Sequence, residues 1–248
     1  MNELKDYGER PVGQAAARSP ARHYQWLLFD ADGTLFDYER AEPAAFRQAF
    51  ERLGISFQPD FLVTYRGINQ ALWQSVEKGE LSPSVVKLRR FEQLLEVIKV
   101  SCSATDFSGH YLQCLAACSQ LIEDAETVIQ ALAGRYRLAI LTNGLKEVQR
   151  GRLELSTIRP HISEIVISEE IGFAKPAPEY FEVALRRLGN PGKHDVLMIG
   201  DGWNSDIEGA VSYGIDACWY NPSRMPRPSA SPITREIASL RELRDWLA

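Results

Sequence analysis

The stretch Trp26-Leu27-Leu28-Phe29-Asp30-Ala31-Asp32-Gly33-Thr34 decides the fold. Four apolar residues without polar alternation predict a strand buried on both faces, as in parallel sheets. The strand runs directly into two carboxylates one residue apart. The same grammar recurs downstream. Tyr136–Leu141 predicts a second strand ending at Thr142-Asn143-Gly144, and Glu164–Ile167 a third. Val196–Ile199 predicts a fourth ending at Gly200-Asp201, and Ile215–Tyr220 a fifth. Helical patterns lie between them at Ala125–Ala133, Leu145–Leu155, Pro178–Leu188 and Ser205–Tyr213. The expected fold class is therefore α/β, a parallel-sheet Rossmann-like core with helices on both faces.

Between the first two strands lie about 100 residues, where a parallel crossover needs only a dozen or so. They carry four helical patterns, about Pro43–Leu53, Asp60–Glu77, Pro83–Val100 and Asp106–Leu121. The chain is thus expected to divide into a catalytic core over 23–37 and 123–248, and an inserted all-helical cap over 38–122. Residues 1–22 are polar and rich in Gly, Pro, Ala and Arg, and are expected to form a loosely ordered leader rather than a secretory signal. Asn221–Pro232 predicts a surface loop before a closing helix at Ser239–Leu247.

Composition narrows the function classes. A formal charge of −5 and the lack of any Lys/Arg stripe argue against a nucleic-acid polymer as partner. No apolar run reaches the length of a membrane span, so a cytoplasmic protein is expected. His110, Cys114 and Cys118 fall four apart on a helix, but the outer two would stand about 12 Å apart along its axis, too far for one zinc ion. The four cysteines are expected to be reduced. Monomer and homodimer are both compatible with the sequence.

Asp30, Thr142 and Asp201 each follow an apolar strand at its carboxyl end, where open α/β sheets bind ligands. A carboxylate there can attack phosphorus and split one displacement into two. A second carboxyl nearby can protonate the leaving oxygen and later accept a proton from water. Gly33 lets the chain turn so that both acids face one site. Asp201 and Asp206, in Gly200-Asp201-Gly202-Trp203-Asn204-Ser205-Asp206, suit Mg²⁺, which takes oxygen ligands. Asp206 is also placed to cap the following helix. Thr142-Asn143-Gly144 offers a hydroxyl and backbone N–H groups at a helix start, an anion cradle. Lys175, in a loop stiffened by Pro176 and Pro178, can neutralise a phosphate as a point charge.

Together, Asp30-x-Asp32-x-Thr34, Thr142, Lys175-Pro176 and Gly200-Asp201-x-x-x-x-Asp206 resemble the haloacid dehalogenase superfamily, in the family's order along the chain. The resemblance implies Asp30 as nucleophile, Asp32 as general acid/base, and phosphate binding by Thr34, Thr142, Asn143 and Lys175. It also implies Mg²⁺ held by Asp30, the backbone carbonyl of Asp32 and Asp201, with Asp206 close behind. Dehalogenating members lack the second aspartate, since a halide leaves without a proton; Asp32 therefore favours phosphate chemistry. A nearer likeness is to bacterial house-cleaning 5′-nucleotidases acting on pyrimidine and noncanonical nucleoside monophosphates. Phe29–Phe36, Tyr65–Asn69 with Leu72-Trp73, Arg90–Glu92, Leu141–Gly144, Val166–Glu170 and Ala174–Pro176 carry it. Tyr65, Asn69 and Trp73 share one helix face. Trp73 is expected in the core, and Asn69 as a contact to sugar or base, with Tyr38 and Arg66 as lesser candidates. The expected substrate is a small phosphorylated metabolite; a sugar phosphate or phosphoglycolate is the alternative, ahead of a 2-haloacid or a non-catalytic binding role.

Overall fold

The computed structural model describes residues 24–248; the leader expected over 1–22 lies outside them. Strand β1 (Trp26–Phe29) is buried throughout and sits near the middle of a six-stranded sheet, between β2 (Arg137–Thr142) and β4 (Val196–Gly200). Beyond β2 lies β3 (Ile162–Ile167); beyond β4 lie β5 (Asp216–Tyr220) and β6 (Arg235–Ile237), giving the order β3-β2-β1-β4-β5-β6, all parallel. Side chains alternate between the faces with the period of a strand. Leu27 and Phe29 join Ile140, Ile199 and helices α5 (Ala125–Ala133) and α10 (Leu240–Leu247) on one face. Trp26 and Leu28 join Leu141, Met198 and helices α8 (Pro178–Arg187) and α9 (Gly209–Tyr213) on the other.

This topology creates the crevice. The chain leaves β1 to one side for β2 and β3, then returns to the other side for β4, so the strand order reverses at β1. Phe29 is level with Ile140 on β2 and with Ile199 on β4. The residues that follow, from Asp30, Leu141 and Gly200 onward, therefore emerge side by side.

Helices α1 (Tyr38–Arg52), α2 (Pro59–Glu77), α3 (Pro83–Ile98) and α4 (Ala104–Ala116) lie between β1 and β2 in sequence. Prolines at the first position preset the entry of α2 and α3. The helices close on an aromatic cluster of Phe46, Phe50, Tyr65, Phe91, Phe107 and Tyr111, joined by Leu145 and by Val148 of α6 (Lys146–Glu154). The two connecting segments run beside each other. Phe36 bridges Leu121, Asp37 N–H donates to the Gln120 carbonyl at 3.0 Å, and Ile122 N–H donates to the Leu35 carbonyl at 2.9 Å.

The departures from expectation are local. Helix α1 begins at Tyr38 rather than Pro43, because the Asp37 side chain caps it by accepting from Arg40 N–H at 3.0 Å. Strand β6 and the short helix α7 (Ser168–Ile171) were not foreseen; only Ile237 of β6 is buried, so it carries no apolar run. The single helix expected over Ser205–Tyr213 is a π-helical turn, Trp203–Glu208, continuing into α9. Among the described residues no helix is long and apolar enough to cross a membrane.

Candidate active site

Lys175 lies at the centre of the crevice. It is 1% exposed, and its ammonium donates to Asp30 Oδ1 at 2.6 Å, Asp206 Oδ1 at 2.6 Å and the Leu141 carbonyl at 2.7 Å. Its three N–H groups thus have three acceptors. Burial alone would depress the ammonium, but Asp206 and Asp30 more than offset it and hold its pKa well above the usual lysine value. Asn143 fixes the lysine's backbone from both sides: its Nδ2 donates to the Lys175 carbonyl, and its Oδ1 accepts from Lys175 N–H, each at 2.8 Å. Asn143 lines the crevice, and its side chain positions the lysine. Thr142 lines the crevice, its hydroxyl oxygen accepting from Gly144 N–H at 3.0 Å.

Asp30, Asp201 and Asp206 form a carboxylate cluster, with one oxygen of each lying within 4.8 Å of the others. Burial pushes Asp30 well above the ordinary carboxylate range; Lys175 pulls it back, and Asp206 and Asp201 push it further up. Asp201 opens toward the cleft, yet surrounding protein and then Asp206 raise it to about 7, against the pull of the Thr34 hydroxyl. Crowded like charges that resist ionising together fit a divalent cation, and the all-oxygen donor set suits Mg²⁺.

Two glycines make the cluster possible. Gly33 has φ of +84°, and a Cβ there would stand 2.5 Å from Asp201 Oδ2. At Gly200 a Cβ would meet the Asp206 carboxylate at 2.4 Å. Asp206 Oδ2 accepts from Gly202 N–H at 2.9 Å, ahead of α9, so it braces the π-helical turn while facing the lysine. Thr34, expected to bind phosphate, is fully buried and does not line the crevice. Its hydroxyl donates to Asp201 Oδ1 and accepts from Asp201 N–H, both at 3.0 Å, so it anchors the acid.

Asp32 projects away from the cluster, along the crevice wall. Its carboxylate pairs with the fully buried Arg152 and accepts from Gln149 Nε2 at 2.6 Å. Arg152 is itself set by the Cys118 carbonyl at 3.0 Å and by the Phe36 ring, 4.7 Å away. The side chain of Asp32 is thus no member of the acidic cluster. Neither Gln149 nor Arg152 was singled out in the sequence. Both sit among the charges of the helical run Lys146–Glu154.

The crevice, about 270 Å³, is roofed by Tyr38, Asn69, Trp73, Arg90, Leu112 and Leu115. Tyr38 and Asn69 therefore stand where substrate contacts were expected. Trp73, expected in the core, packs partly against it but also lines the crevice, since the end of α2 overhangs the acids. Arg66 lies off the crevice, paired with Glu42 at 2.5 Å.

The sequence profile of the haloacid dehalogenase-like hydrolases matches residues 24–214, which span the crevice and every acid in it. The chain belongs to this family. Among such hydrolases, it is 35% identical to the HAD-hydrolase YfnB of Bacillus subtilis over 90% of this chain and 94% of that one. It is 30% identical to the pyrimidine 5′-nucleotidase YjjG of Escherichia coli, covering 90% of this chain and 98% of that one. A crystal structure of YfnB bound to magnesium, described as revealing interdomain movement, superposes with a TM-score of 0.83 over 91% of this hydrolase and 99% of that chain. A crystallised dehalogenase at 20% identity, TM-score 0.72 over 91% of this chain and 97% of that one, shares the fold.

Proposed function

We propose that this hydrolase is a Mg²⁺-dependent phosphomonoesterase working through an aspartyl-phosphate on Asp30, a 5′-nucleotidase for pyrimidine or noncanonical nucleoside monophosphates. The observation that carries the chemistry is the presence of Asp32 two residues past Asp30, oriented by Arg152 and Gln149 at the wall of the same crevice. A halide leaves without a proton, whereas an alkoxide needs one. The nucleotidase assignment is supported by the named activities of YjjG and of PynA from Streptococcus pneumoniae, the latter 31% identical over 90% of this chain and 95% of that one.

The Thr142–Gly144 turn receives the phosphoryl oxygens, beside the buried positive charge of Lys175. Asp30 attacks phosphorus in line as the bond to the leaving oxygen breaks, and Asp32 delivers a proton to that oxygen. Water then attacks the aspartyl-phosphate, passing a proton to Asp32 and freeing Asp30 and phosphate. Asp30, Asp201 and Asp206, with the Asp32 carbonyl, would hold Mg²⁺, which when bound neutralises phosphate charge. The helices over 38–122 act as a cap on a core of 23–37 and 123–248.

The deciding assay is a panel of UMP, dTMP, sugar phosphates, phosphoglycolate and 2-chloropropionate, with and without Mg²⁺. Preferential, Mg²⁺-dependent hydrolysis of the nucleotides is expected, and Asp30→Asn is expected to abolish it. Release of chloride without ester hydrolysis would reject the phosphatase assignment. A faster rate on sugar phosphates would move the substrate class and leave the mechanism standing.

A further inference from the structure

Arg90 lies on α3 at the roof of the crevice, 2% exposed, with its guanidinium between the rings of Tyr65, Phe91 and Tyr111. Its Nη1 donates to the Tyr65 hydroxyl and to Asn69 Oδ1, each at 3.1 Å, while Nε and Nη2 have no partner. Arginine has only donors, so the amide oxygen of Asn69 must be the atom that turns to it. The orientation of this asparagine is thus fixed chemically. Its Nδ2 has no hydrogen-bond partner among the described residues, and Asn69 lines the crevice.

Resting on the nucleotidase assignment, we infer that Asn69, locked by Arg90, selects leaving groups that present a hydrogen-bond acceptor, in a pyrimidine nucleotide a ring carbonyl oxygen. Asn69 is the contact, and Arg90 is a positioning residue. Freed of Arg90, the amide can turn over and present its oxygen, which a carbonyl repels. A buried donor that meets no acceptor is penalised, so ligands without one are disfavoured. The phosphate end of the crevice, built on Lys175 and the acids, is common to every ester.

The test uses the full chain with Mg²⁺, and UMP against phenyl phosphate, whose leaving group carries no carbonyl. Asn69→Asp keeps the shape, pairs with Arg90 and removes the donor. It is expected to lower kcat/KM on UMP by about 10- to 100-fold, a larger loss than on phenyl phosphate. Arg90→Met is expected to raise KM for UMP with kcat nearly retained, and Arg90→Lys to restore part of the loss. Thermal unfolding of each variant separates misfolding from altered recognition. Equal losses on both esters, or none on UMP, in variants that unfold like a wild type preferring UMP would overturn the inference alone. A wild type with no preference for UMP would remove the nucleotidase assignment and the inference with it.

Discussion

Lys175 shows how much one residue organises. With its ammonium buried against Asp30 and Asp206, replacing it by Met leaves two facing carboxylates without their cation. Lys175→Met is expected to destabilise the metal-free protein by about 3–5 kcal/mol in urea unfolding, and saturating Mg²⁺ to recover part of the loss. The acids also set a pH dependence. Asp201, raised to about 7, holds a proton below that value that a cation must displace, and burial raises Asp30 as well. Mg²⁺ affinity is therefore expected to rise from pH 6 to pH 8, by up to about tenfold per unit for each proton displaced below pH 7, and then level off. Calorimetric titration at several pH values measures this; affinity flat from pH 5.5 to 8 would contradict it. These acids were legible in the sequence because each closes an apolar strand. Arg90 entered only within a family-like stretch and Arg152 not at all, because arginine in a charged helical run reads as solvated, and only tertiary packing buries it.

At the scale of elements, α6 does two jobs from two faces. Gln149 and Arg152 turn to Asp32, while Val148 packs into the aromatic cluster of α1–α4. If Arg152 acts by orienting Asp32, then Arg152→Met and Asp32→Asn should each lower kcat by about 10²-fold. The double variant should lose little more than Asp32→Asn alone. Multiplying losses in steady-state assays would show that Arg152 acts elsewhere. The strands β1 to β5 were legible as apolar runs, and their order follows from that legibility plus the rules of parallel connection. The start of α1 was misplaced because Pro43 reads as a first-turn residue, whereas the Asp37 cap outranks it. The π-helical turn had no signature in sequence: Gly200 and Gly202 permit it, but the carboxylate of Asp206 draws it in.

Across the whole molecule, two polar contacts tie the inserted helices to the sheet-bearing part at the rim of the crevice. Asn204 Nδ2 donates to Glu77 Oε2 at 2.9 Å, and Lys87 pairs with Glu147 at 2.6 Å. Both are exposed, so each is worth no more than about 1 kcal/mol and weakens with salt. Asn204→Ala combined with Lys87→Ala is expected to raise KM a few-fold and to speed product release, measurable by stopped-flow phosphate detection. An unchanged KM across variants and salt would show that these contacts do not hold the roof closed.

The paired segments joining the two parts begin within the loop that carries the acids. Asp32 itself bridges Phe36, and Gly33 N–H donates to the Phe36 carbonyl at 3.1 Å, next to the Phe36–Leu121 bridge. Any rotation of the four helices about those segments therefore turns Asp32 as well. On the proposed mechanism, enclosure and proton delivery would share one pivot, and an ester too large to let the roof seat would leave its proton donor out of reach. Selectivity of this kind appears in kcat rather than in binding, as a lock whose bolt is also its key.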